Sequence, residues 1–106
     1  MKISEKDNWV ATSASADLPP INCIYALSLQ DKIVYIGCTR NLKKRINKVH
    51  PAVNLIKKDK GVGINGINLF YLPTKEFDNK TERNLQKKYQ PEYNTHEISD
   101  IGKQIL

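Results

Sequence analysis

The sequence predicts an α/β domain of the α+β type, a small three-stranded antiparallel sheet flanked by helices. Three observations predict it. Two runs rich in β-branched and aromatic residues, Cys23-Ile24-Tyr25-Ala26-Leu27-Ser28-Leu29 and Lys32-Ile33-Val34-Tyr35-Ile36, are joined by the short polar link Gln30-Asp31 and read as a hairpin. A third run, Ile67-Asn68-Leu69-Phe70-Tyr71-Leu72, is stopped by Pro73. Around these runs, apolar residues recur at spacings of three and four, the period of a helix with one inward face. The expected order is strand, strand, helix, helix, strand, helix.

Residues 1–20 are polar and mixed, and close on Pro19-Pro20. They read as a flexible N-terminal arm, with Trp9-Val10 able to dock on a single domain at 21–106. In the hairpin, side chains alternate faces, so the loop decides where the tyrosines point. Pairing Ser28 with Lys32 across a three-residue loop sets Tyr25 opposite Tyr35. A two-residue turn at Gln30-Asp31 sets Tyr25 opposite Ile36 and sends the tyrosines to opposite faces. A shared site favours the three-residue loop. Gly37 then ends the strand, and Thr39 or Asn41 caps a helix of about 41–50 with Leu42, Ile46 and Val49 inward. Arg45 borders that stripe, whereas Lys43, Lys44, Asn47 and Lys48 face outward. Pro51 ends or kinks the helix, and Ala52 to Lys58 forms a second. Gly61, Gly63 and Gly66 mark a connection. A last helix spans about Asn79 to Tyr89, and the tail, His96 to Leu106, has Ile98, Ile101 and Ile105 at helical spacing.

With 106 residues, 40% of them apolar and 26% charged, the chain suits one globular domain rather than a disordered segment. Its net charge of +6 is compatible with a polyanionic partner and equally with an ordinary basic surface. No apolar run approaches the ~20 residues that span a bilayer, and the N-terminus lacks the apolar core of a secretion signal. Cys23 and Cys38 are too few for a disulfide framework, and with His50 and His96 they match no common zinc spacing. The expected setting is cytoplasmic, with reduced thiols and no membrane.

Ile24-Tyr25, Tyr35-Ile36-Gly37, the segment Thr39-Arg40-Asn41-Leu42-Lys43-Lys44-Arg45, Glu82 and Pro91-Glu92-Tyr93-Asn94 together resemble the GIY-YIG nucleases over residues 22–94. The resemblance implies a DNA endonuclease that hydrolyses phosphodiester bonds with Mg²⁺ or Mn²⁺. By it, Tyr35 activates water, Tyr25 positions or shares that proton, Arg45 bears phosphoryl charge, Glu82 holds the metal, and Asn94 orients phosphate or tyrosine. Lys43, Lys44, Lys48, Lys57 and Lys58 would grip the flanking DNA backbone. With no appended specificity domain of useful size, the expectation is that cleavage is weakly specific, that a homodimer supplies the rest, or that a partner protein delivers the substrate.

Residue by residue, plainer readings stand beside these. Either tyrosine can be core packing, Arg45 can cover apolar surface with its stem, and Asn94 can be a turn residue. Asn79-x-x-Glu82 can be a capping box in which Glu82 only bonds backbone. Two positions depart from the family: Cys23 replaces the leading glycine, and Val49 stands where His or Tyr is usual. His50 lies one step late, rotated by about 100° on a continuous helix, and reaches the site only if the helix unwinds before Pro51. These departures motivate the alternative of a catalytically decayed protein that binds nucleic acid without cutting it.

Overall fold

The hairpin settles its register in a way that neither simple loop provides. Leu29 pairs with Lys32 across the two-residue turn Gln30-Asp31, but Val34 then bulges, so Leu27 pairs with Tyr35 and Tyr25 with Gly37. The extra residue restores the phase that the short turn would have lost. Tyr25 and Tyr35 therefore share a face, as a common site requires, although the expected three-residue loop does not form. Gln30 takes the left-handed conformation at φ 56° to close the turn, and the Ser28 hydroxyl donates to its carbonyl at 2.9 Å.

This computed structural model describes residues 9–48 and 50–94. Val49, assigned to the inward stripe, and the tail helix expected at His96 to Leu106 lie outside the described residues. Four antiparallel strands form one sheet: β1 (Val10–Ser13), β2 (Cys23–Leu29), β3 (Lys32–Thr39) and β4 (Asn68–Pro73), in the order β1-β4-β2-β3. The expected three-stranded sheet thus gains an N-terminal edge strand. Val10 to Ser13, assigned to the arm, pair in register with Asn68 to Tyr71. β3 also runs past Gly37 to Thr39, so Gly37 lies within the strand instead of ending it.

Both faces of the sheet are covered. Tyr25 and Leu27 of β2 and Leu69 of β4 meet Leu42 and Ile46 of α1 (Leu42–Asn47) and Ala52 and Ile56 of α2 (Pro51–Lys60). On the other face, Ile24, Ala26 and Ile36 meet Leu85 and Tyr89 of α3 (Asn79–Tyr89), with Trp9 and Phe70 beside them. β2, buried on both sides, accordingly reads as a continuous apolar run instead of an alternating one. Among the described residues, no helix is long and apolar enough to cross a membrane.

Helix starts follow local chemistry. The Asn41 side chain accepts from the Lys44 N–H, and the carbonyls of Ile21 and Pro19 take the Leu42 and Lys43 N–H groups, satisfying the open donors of α1. Pro19, also assigned to the arm, thus helps anchor α1. The helix stops at Asn47 with Lys48 extended, and Pro51, expected to end or kink it, instead sits in the first turn of α2. Gly61 closes α2 at φ 68°, where a side chain would be strained.

Candidate active site

The early end of α1 decides where His50 goes. Because the chain leaves the helix before it, His50 is an extended N-cap residue of α2 and not a later point on α1. Its Nδ1 accepts from the Ala52 N–H at 3.2 Å, and its Nε2 lies 2.7 Å from the Tyr25 hydroxyl, with the ring only 2% exposed. Burial, reinforced by the Arg45 charge, lowers its pKa to about 3, so the imidazole is neutral at ordinary pH. A neutral ring whose Nδ1 accepts must carry its proton on Nε2. His50 therefore donates to Tyr25, and the Tyr25 proton is free to point elsewhere.

It points to Tyr35. The two rings stand 6.0 Å apart between centroids, and both meet the His50 ring edge-on. Burial raises the pKa of each phenol, but their neighbours separate them. Tyr25 is raised well above its ordinary value by burial and then by Tyr35. For Tyr35, burial is opposed by the Arg45 charge and by the hydrogen bond from Tyr25, while Glu82 pushes upward. Both phenols are therefore raised, and the Arg45 charge offsets part of the rise at each. Arg45, half-buried beside both phenols, loses some proton affinity to burial but gains more from their oxygens, and stays cationic.

Gly37 is what lets the tyrosines meet. It faces Tyr25 across the ladder, and a Cβ there would fall 2.8 Å from the Tyr25 oxygen and 2.9 Å from Tyr35 Cε1.

β3 is an edge strand, and its outward backbone groups are covered from residues 82–94. The Tyr93 N–H donates to the Val34 carbonyl at 2.8 Å. The Asn94 amide bonds Ile36 on both sides, accepting from its N–H at 2.6 Å and donating to its carbonyl at 2.9 Å, where Gln86 also donates at 3.0 Å. Asn94 thus behaves as a rung of a ladder, holding the strand between Tyr35 and Gly37. Sequence reasoning did not identify Gln86, although its place one turn after Glu82 on the same helix face was a usable signal.

Glu82 completes the row. Burial raises its pKa, while the Cys38 thiol and backbone N–H against its carboxylate oppose the rise. The capping-box alternative does not hold. Asp78 is the N-cap of α3, accepting from the Thr81 N–H and hydroxyl at 3.0 and 2.6 Å, and Asn79 is already helical, receiving the Cys38 thiol at 3.4 Å. Among the described residues, no three His, Cys, Asp or Glu side chains gather as a metal cluster. A single hard carboxylate suits Mg²⁺ or Mn²⁺, which draw their remaining ligands from phosphate oxygens and water, and the Cys38 N–H leaves most of its acceptor capacity free.

The structure brings Lys43, Lys44 and Lys48 to one groove of about 460 Å³, lined also by Pro20, Asn41 and Asn47. Lys57 and Lys58 are exposed on α2 and do not line it.

Residues 21–94 match the family described as the GIY-YIG catalytic domain. The chain belongs to this family. A segment of 39 residues, 37% of this chain and 27% of the relative, is 54% identical to Endonuclease II of Enterobacteria phage T4. Over 80 residues, 74% of this chain and 14% of the relative, it is 32% identical to UvrABC system protein C of Fusobacterium nucleatum. The chain spans about a quarter of the first relative and a seventh of the second. The solved structure of a bacteriophage T4 EndoII mutant aligns with a TM-score of 0.51 at 18% identity, covering 89% of this chain and 86% of that one, which supports the GIY-YIG fold.

Proposed function

We propose that this chain is a metal-dependent endonuclease that hydrolyses DNA phosphodiester bonds, with Tyr35 as the base. The observation that carries the reading is the buried cluster in which His50 Nε2–H donates to Tyr25, Tyr35 packs against both rings, and Arg45 lies beside both phenols. Both phenols have the same cationic neighbour, and Tyr35 is the less buried of the two. A tyrosine is an ordinary poor base at pKa ~10, and at Tyr35 the Arg45 charge offsets part of the further rise that burial causes. With Tyr35 ionised, the water proton passes to its Oη as the water oxygen attacks phosphorus and the bond to the departing nucleoside oxygen breaks, that oxygen taking a proton from solvent. Arg45 places its donor fork on the non-bridging oxygens, where charge accumulates. Glu82 would hold Mg²⁺ or Mn²⁺, which supplies charge neutralisation at phosphate and acidification of bound water. Asn94 keeps Tyr35 aimed by holding Ile36, and Lys43, Lys44 and Lys48 line the path of the flanking backbone.

The departures that motivated a binding-only reading weigh less against this geometry. His50 supplies the imidazole that Val49 lacks, and Cys23 is 1% exposed in the core.

The test is nicking of supercoiled plasmid with Mg²⁺ or Mn²⁺, beside EDTA and Glu82→Ala controls. Metal-dependent nicking that falls at least a hundredfold in the variant is expected. Equal rates in parent and variant remove Glu82 from the chemistry, and salt-sensitive binding without nicking favours the decayed binding module.

A further inference from the structure

Phe77 is one of two large apolar side chains left exposed among the described residues, at 38%. It directly precedes Asp78, the N-cap of α3. A residue at that position commonly packs its side chain against the fourth residue of the helix, fixing the entry of the chain. Here the fourth residue is Glu82, a carboxylate turned to Cys38 and to the site. The staple cannot form, and the ring stands outward. Its partner is Arg40, whose guanidinium lies 4.5 Å from the ring centroid. Arg40 leaves β3 two residues after Cys38, and Phe77 lies two before Asn79. The Cys38–Asn79 contact therefore joins both to the end of β3 against which Glu82 of α3 lies. Beside the ring is a recess of about 430 Å³ lined by Thr74, Lys75, Glu76 and Asp78.

We infer that Arg40 and Phe77 form a stacking ledge for a nucleobase next to the scissile phosphate, so that the enzyme prefers DNA with an unpaired base there. Aromatic rings and guanidinium planes are the side chains on which bases stack. The charge around the ledge favours a base over a phosphate, because Glu76 and Asp78 border it along with Lys75. A base inside a duplex has both faces covered by its neighbours, so only an unpaired or extruded one can occupy the ledge. The inference rests on the nuclease reading for its location, and deepens it by naming the substrate class.

The test measures binding in EDTA, where nothing is cut, of a twelve-nucleotide oligothymidylate and of the same backbone carrying abasic residues throughout. Both probes have equal phosphate charge. The parent is expected to bind the thymidylate about tenfold more tightly than the abasic probe, within the range for one base on an aromatic ring. Phe77→Leu should lose that preference while binding the abasic probe as the parent does, and Phe77→Tyr should restore it. Circular dichroism establishes that the Leu variant is folded. A preference kept by Phe77→Leu overturns the inference, as does no preference in the parent. Plasmid nicking by the parent, measured separately, reports on the nuclease reading, so the two can fail independently.

Discussion

Gly37→Ala perturbs the site with the smallest possible side chain, and the structure sets its consequence. The backbone at Gly37 is not left-handed, so alanine meets no conformational penalty there. What it meets is the two phenols. The added Cβ would lie 2.8 and 2.9 Å from the oxygen and Cζ of Tyr25 and 2.9 Å from Tyr35 Cε1. Ordinary contact is about 3.5–4.0 Å, so each approach is short by more than roughly half an ångström. Tyr25 cannot yield: it is 0% exposed and tied to His50 at 2.7 Å. Tyr35 is only part-buried and must move. Overpacking of this kind destabilises by about 1–3 kcal/mol, or on the order of 5–20 °C in Tm for a domain of this size. The larger effect falls on rate, since displacing a reacting group by about 1 Å can cost a hundredfold. Urea unfolding and plasmid nicking measure the two effects on one preparation. A variant with parental unfolding midpoint and parental nicking rate would refute the account of Gly37 as the gap that the tyrosines share.

Two further outcomes follow from the same geometry. His50 has a folded pKa of about 3 against about 6.5 unfolded, so between these values the unfolded chain binds the extra proton and stability falls as the pH is lowered. The contribution is whole above pH ~6.5 and declines by at most about 1.4 kcal/mol per pH unit on acidification. Urea midpoints from pH 7 to 4 should slope accordingly, and His50→Gln should flatten the slope; equal slopes in both proteins would contradict the buried neutral imidazole. Asn94→Asp keeps size and the acceptor for the Ile36 N–H but cannot donate to the Ile36 carbonyl. A loss of about 1 kcal/mol with a larger fall in kcat than change in KM is expected. Unchanged kcat would mean that the rung does not aim Tyr35.

Much of this molecule was legible in local periodicity. The hairpin runs, the third apolar run and the stripe of Leu42 and Ile46 assigned the elements, and α3 spans Asn79–Tyr89 as its pattern predicts. β1 escaped notice because Val10 to Ser13 carry little apolar signal and are held by backbone pairing to β4, which nearly any sequence can offer. The bulge at Val34 escaped for a related reason: an inserted residue is a property of two strands aligned together, and neither strand carries its mark.

The sequence by itself determined which chemical groups are present, their order, and the side chains that two strands and three helices present to each face, because periods of 2 and 3.6 residues are set by the backbone. Tertiary structure alone decided that the bulge returns Tyr35 to the face of Tyr25. It also decided that α1 stops early enough for His50 to turn inward, and that residues 82–94 line the edge of β3. Each of these depends on where one element ends relative to another, a distance through space that spacing along the chain does not contain.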